Sequence, residues 1–79
     1  MNVTAMTKVI AQRGDFRYVE RGVIPLNGLP DLRLQVQDDY TGRFRDVYAF
    51  DNEQQCLLAI SDLEYAKWLA GQPAYRKYT

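Results

Sequence analysis

Between residues 31 and 71 the chain runs through two hydrophobic periods in succession. Leu32, Leu34 and Val36 alternate with Arg33, Gln35 and Gln37, the period of two that marks a half-buried strand. Asp38-Asp39-Tyr40-Thr41-Gly42 follows and reads as a turn, since Asp and Gly are turn formers. Residues 43–50 alternate again. Phe44, Tyr48 and Phe50 share one face; Arg43, Arg45, Val47 and Ala49 share the other. Asp46 falls on the aromatic face and breaks the pattern, which predicts a strand edge, a bulge or a carboxylate that accepts hydrogen bonds.

From Asp51 the period becomes helical. Asp51 with Gln54 has the spacing of a capping box, in which a side-chain acceptor and a returning amide satisfy backbone groups left over at the first turn. Asp51 and Glu53 also suit the positive end of the helix dipole. Cys56, Ala59, Ile60 and Leu63 form the face expected to cover the sheet. Ser61 with Glu64 repeats the capping pattern, so a restart or kink is expected at Ser61. Beyond it Tyr65, Trp68 and Leu69 make a second apolar face, rotated from the first, and Gly71 and Pro73 stop the helix.

Upstream, residues 7–13 and 16–21 predict a hairpin about Arg13-Gly14-Asp15, with Phe16 and Tyr18 on one face and Arg17, Val19 and Arg21 on the other. Val23-Ile24-Pro25-Leu26 is compatible with an extension of the second strand past a bulge at Gly22. Asn27-Gly28 is a two-residue hairpin pattern. Pro25 and Pro30 cannot donate to a ladder, which makes this stretch an edge or a loop. The expected fold is α+β: a small antiparallel sheet of about four strands, covered on one face by a C-terminal helix or kinked helix pair. Residues 1–79 are expected to form a single domain, with 1–5 and 74–79 as flexible ends.

Composition narrows the chemistry. The ten basic and ten acidic residues cancel in 79 residues, which sets the chain apart from polycations and from heavily acidic DNA mimics. The charges are unevenly placed. Asp51, Glu53, Asp62 and Glu64 face Lys67 alone in the helical region, whereas Arg76 and Lys77 meet no acid in the tail. With no histidine and one cysteine, the chain has neither a histidine base nor the ligands of a zinc site. The five glycines are scattered at turns and build no phosphate loop. No catalytic residue, metal site or cofactor is expected, and the chain reads as a non-enzyme. Cys56, on the inner helix face, reads as a buried apolar residue. No run approaches the ~20 apolar residues of a membrane span, and no secretory h-region opens the chain; a cytoplasmic protein without membrane partners is expected.

Two surfaces are candidates for binding. With the helix on the aromatic face, the opposite sheet face is expected to hold Arg17, Arg21, Arg33, Arg43 and Arg45 beside Gln35 and Gln37. Planar guanidiniums suit carboxylate and phosphate, so this face would dock an acidic protein patch or a nucleic-acid backbone; its simplest alternative is a solvated sheet face. The second surface is the C-terminal end, where Tyr65, Trp68, Leu69, Tyr75, Arg76 and Tyr78 are of the types that dominate interface hot spots. Closure of the core around the tail is its alternative.

Phe50-Asp51 opening a helix, and Trp68-Leu69-Ala70-Gly71-Gln72-Pro73 closing it, give residues 43–73 a likeness in size and architecture. The chain resembles small phage-encoded anti-CRISPR proteins that act on type I effector complexes, some of which pair a short antiparallel sheet with one or two helices. These proteins share no sequence signature, so no site residue carries over. The resemblance implies a non-enzymatic inhibitor that binds a protein or protein–RNA complex, a CRISPR effector, in the host bacterial cytoplasm and occludes a functional surface. A nucleic-acid-binding module that uses the arginine face is the first rival reading. A small structural protein that forms homodimers or larger homo-oligomers is the second.

Overall fold

The computed structural model describes residues 7–71. Four strands, β1 (Lys8–Arg13), β2 (Phe16–Val23), β3 (Pro30–Gln37) and β4 (Phe44–Ala49), precede two helices, α1 (Glu53–Ser61) and α2 (Leu63–Ala70). The strands form one antiparallel meander in the order β1-β2-β3-β4. This is the α+β arrangement that the two periods predict, with the helix pair on one sheet face. The expected flexible ends, Pro73 and the tail residues Tyr75, Arg76 and Tyr78 lie outside the described residues.

The turns follow local chemistry. Gly14 and Asp15 connect β1 to β2 across the paired Arg13 and Phe16, and Gly14 takes the positive φ of 62° that a side chain would resist. The register between β2 and β3 shifts between Glu20 and Val23, which is the bulge expected at Gly22, and β2 runs on to Val23. The next connection differs from expectation. Asn27-Gly28 does not form a two-residue turn, because Asn27 lacks the positive φ that such a turn requires at both central residues. Instead the Ile24 N–H donates to the Leu29 carbonyl, and the Asn27 and Gly28 N–H groups donate back to the Ile24 carbonyl. Pro25 occupies this loop, and Pro30 takes the first position of β3, where a missing donor is tolerated. Between β3 and β4, the Asp38 carboxylate accepts from the Tyr40 and Thr41 N–H groups at 2.7 and 3.2 Å. Those two donors hold the Asp38 carboxyl below its ordinary range.

The core lies between the sheet and the helices. Tyr18, Leu32, Leu34 and Phe50 from the sheet side meet Cys56 and Ala59 of α1 and Ala66 and Leu69 of α2. Tyr18 is fully buried, stacks on Phe50 at 6.4 Å and donates its hydroxyl to the Ala59 carbonyl at 2.9 Å. A tyrosine can be buried this completely because its polar end finds a partner. Gln55 joins three elements. Its Oε1 accepts from the Asp51 N–H, and its Nε2 donates to the hydroxyls of Tyr48 on β4 and Tyr65 on α2.

The helix starts are each displaced by one residue from the expected caps. Asn52, not Asp51, is the N-cap of α1: its side chain accepts from the Gln55 N–H at 2.8 Å. The break near Ser61 is present, but Asp62, not Ser61, caps α2 by accepting from the Glu64 and Tyr65 N–H groups. Extended backbone at both caps leaves the side-chain oxygens pointing at these donors. Asn52→Ala is therefore expected to cost about 1 kcal/mol, and Asp51→Ala distinctly less; equal costs in urea denaturation would return the cap to Asp51.

Candidate functional site: the outer sheet face

The face of the sheet opposite the helices is decided by a bulge in β4. Leu34 pairs with Tyr48, and the next residue, Gln35, pairs with Asp46. Val47 is the extra residue, and it packs against the core together with Tyr48. An inserted residue reverses the parity of everything before it in the strand. Asp46 and Phe44 thus join Gln35 and Gln37 on the outer face, and Arg45, paired with Val36, joins the helix side. This corrects the expected five-arginine face. Arg17, Arg21 and Arg33 share it; Arg45 does not. Arg43 precedes β4 at the end of the loop, on the alternation of Arg45. Phe44, expected under the helices, is an outer residue.

The outer side chains are tied into one network. Asp46 accepts from Arg21 and Arg33 through Oδ2 and from Gln35 through Oδ1, the last two at 3.0 and 2.8 Å. Arg33 also grips Asp31 with two parallel hydrogen bonds of 2.8 and 3.2 Å. Gln35 accepts from the Arg17 Nε at 3.1 Å, and the Arg17 guanidinium lies 3.9 Å over the Phe44 ring. The arrangement works because each group is used in its natural valence: a carboxylate accepts several donors, a glutamine amide relays, and a guanidinium both stacks and donates. Gln35 is buried and Val19, flanked on this face by Val9 and Arg33, is completely so. The side chains of this face thus form one hydrogen-bonded plate. Two of its three guanidiniums, Arg21 and Arg33, meet its two carboxylates, Asp31 and Asp46, and with Arg17 the plate carries one net positive charge.

Arg21 remains the most exposed of the three, its side chain 45% accessible. Charged donors held in place by neighbours lose less entropy on binding than free ones. The plate therefore presents planar donors in fixed positions, a geometry suited to a partner's carboxylates.

The C-terminal surface is only partly described. Leu69 is buried with Ala66, whereas Trp68 is 59% exposed and stacks on Tyr65 at 6.0 Å. Tyr75, Arg76 and Tyr78 lie outside the described residues.

The sequence reading missed an apolar end of the sheet. Val9, Ile10, Val23, Leu26, Leu29 and Leu57 are six of the nine large apolar side chains that stand exposed among the described residues. All belong to the end where β1 begins, β2 ends and β3 begins, together with the first turns of α1. A cavity of about 290 Å³ opens there. No periodic pattern marks such a cluster, because its members come from two strands, a loop and a helix face.

Cys56 is buried against the core, and burial pushes its thiol up to about 11, with the Glu53 carboxylate adding to the effect. It is thus a packing residue, as its helical position predicts. Because the thiol's folded value lies above its unfolded one, its contribution to stability is complete below about 9, the unfolded value, and is lost as pH rises through about 11. Burial of Tyr18, opposed by Arg13, raises its hydroxyl too, with the same sign. Cys56 is expected to resist alkylation by iodoacetamide at pH 8 in the native protein, and stability should fall between pH 9 and pH 11. Rapid native labelling would contradict its burial.

Among the described residues no group of three or more His, Cys, Asp or Glu is placed to hold a metal ion, and no helix is long and apolar enough to cross a membrane. Comparison with protein-family models, with curated proteins and with solved structures found no match for this chain.

Proposed function

We propose that the chain is a non-enzymatic interaction protein whose outer sheet face docks an acidic protein surface. The single observation that carries this reading is the hydrogen-bonded plate of Arg17, Arg21 and Arg33, aligned by Asp31, Gln35, Asp46 and Phe44. Internal pairing favours a protein partner over a nucleic-acid backbone. Only one net positive charge is left, so the plate would displace few counterions from a polyphosphate, whose binding strength depends on that release. The setting proposed with it rests on the resemblance in size and architecture to type I anti-CRISPR proteins alone: stoichiometric occlusion of a CRISPR effector surface in the bacterial cytoplasm.

Two measurements test the proposal together. Expression of the chain in a bacterium with an active type I system should restore plaque formation by a targeted phage, and the purified effector complex should retain the chain at fixed stoichiometry through gel filtration. Undiminished phage restriction without co-elution would overturn the inhibitor reading. The affinity for the captured partner should fall by roughly one decade per decade of salt. A slope of several decades would instead favour the nucleic-acid reading.

A further inference from the structure

The apolar end of the sheet offers a second surface, with different chemistry from the arginine plate. β1 is an edge strand: it pairs with β2 on one side and with no other strand among the described residues. Its register slips between Val9 and Ala11, so Ile10 is a bulge residue. The cavity beside it is lined by Val9, Ile10, Pro30, Leu32, Cys56 and Leu57. Lys8, Glu20 and Glu53 supply its charge, two carboxylates against one ammonium. An edge strand with no second strand partner among the described residues, beside an apolar cavity, is the arrangement through which sheets take up an added strand, the main chain giving affinity and alternate side chains giving selectivity.

We propose that this groove binds an extended peptide segment in which aliphatic and basic side chains follow one another at every second residue, along one face. The main chain pairs with the β1 edge. An aliphatic side chain enters the cavity beside Leu32 and Cys56, and a lysine or arginine two residues along, on the same face of the segment, meets Glu20 and Glu53. Charge complementarity selects this occupant over a second copy of the chain. Antiparallel self-pairing of two β1 strands would bring Lys8 of one toward Arg13 of the other, and like charges across a strand pair are destabilising. The exposed Val23, Leu26 and Leu29 extend the apolar surface beyond the cavity for the rest of the segment.

The test uses the full chain, isotopically labelled, and two blocked heptapeptides. One carries leucine and lysine in turn at its odd positions with serine between them, so that both types share one face; the other has glutamate in place of every lysine. The lysine peptide should shift the amides of residues 8–12 and 53–57 saturably, slow hydrogen exchange along β1, and bind about five-fold or more tightly than the glutamate peptide. Glu20→Gln with Glu53→Gln should erase that preference. Leu57→Lys, at a half-exposed position that the fold tolerates, should weaken the lysine peptide by blocking the cavity. Equal binding of the two peptides, saturable shifts confined to the arginine plate, or no saturable shift at millimolar peptide would overturn the proposal. So would β1 amides that become protected with protein concentration alone, which would assign the groove to a second copy. Arg17→Glu leaves this groove intact, so loss of the plate's partner and loss of peptide binding are separable results.

Discussion

Leu34→Ala is expected to cost about 3–5 kcal/mol, the upper part of the range for a leucine removed from a core that cannot collapse around the gap. Leu34 is completely buried at the centre of β3, between Tyr18 on β2 and Tyr48 on β4, and belongs to the cluster capped by both helices. A chain of 79 residues has about 4–12 kcal/mol of total stability at ordinary values per residue. The substitution therefore removes a large share of it, and the folded population at 37 °C should drop measurably. Leu26→Ala is the matched control: the same side chain, 95% exposed in the β2–β3 loop, should change stability by less than about 0.5 kcal/mol. Urea midpoints that fail to separate the two variants would contradict the sheet–helix core.

The second large effect is expected at Asp46. Asp46→Ala removes the acceptor shared by Arg21, Arg33 and Gln35. The three donors fare differently. Arg21 is half-exposed and returns to water, and Arg33 keeps its two bonds to Asp31. Gln35 is buried and loses the partner of its Nε2, so most of the cost falls there. A loss of about 1–3 kcal/mol follows, the penalty for a buried polar group left without a partner. Asp46→Asn keeps an acceptor oxygen and should lose less. If both variants melt with wild type, the plate is a set of surface ion pairs of the ordinary weak kind. The same network makes Arg33→Glu a poor surface mutation, because it would set a carboxylate beside Asp31 and Asp46.

Much of the fold was legible because strand and helix periods differ so clearly. The alternation at Leu32, Leu34 and Val36 located β3 and its inner face, and Cys56, Ala59 and Ile60 located the covering face of α1. Gly22 marked its bulge because a glycine inside a strand pattern serves few other purposes. The bulge at Val47 carried no such mark. Val47 is an ordinary strand residue, and its insertion shows in the sequence only through the misplaced Asp46. Since strand parity is two, that single residue exchanged Phe44 and Arg45 between the faces. The helix caps slipped for a related reason. Asp51 and Asn52 are both good acceptors, and Gln54 and Gln55 stand at the same spacing from them; tertiary contacts of Gln55 with Tyr48 and Tyr65 favour the second pair. The arginine plate was half legible: the sequence placed Arg17, Arg21 and Arg33 together, but the carboxylates that pair with Arg21 and Arg33 come from β3 and from the far side of a hidden bulge.

The account rests most heavily on the outer face as the docking surface. Its most direct test compares two double charge reversals against the partner captured from bacterial lysate, with thermal melts run in parallel. Arg17→Glu with Arg21→Glu alters the outer face; Arg43→Glu with Arg45→Glu alters arginines that the Val47 bulge excludes from it. The first pair should weaken binding by at least about 100-fold, since reversal adds repulsion to lost hydrogen bonds, and the second should leave it within about three-fold. An outer-face double variant that folds and binds like wild type, or a stronger loss from Arg43 and Arg45, would contradict the assignment.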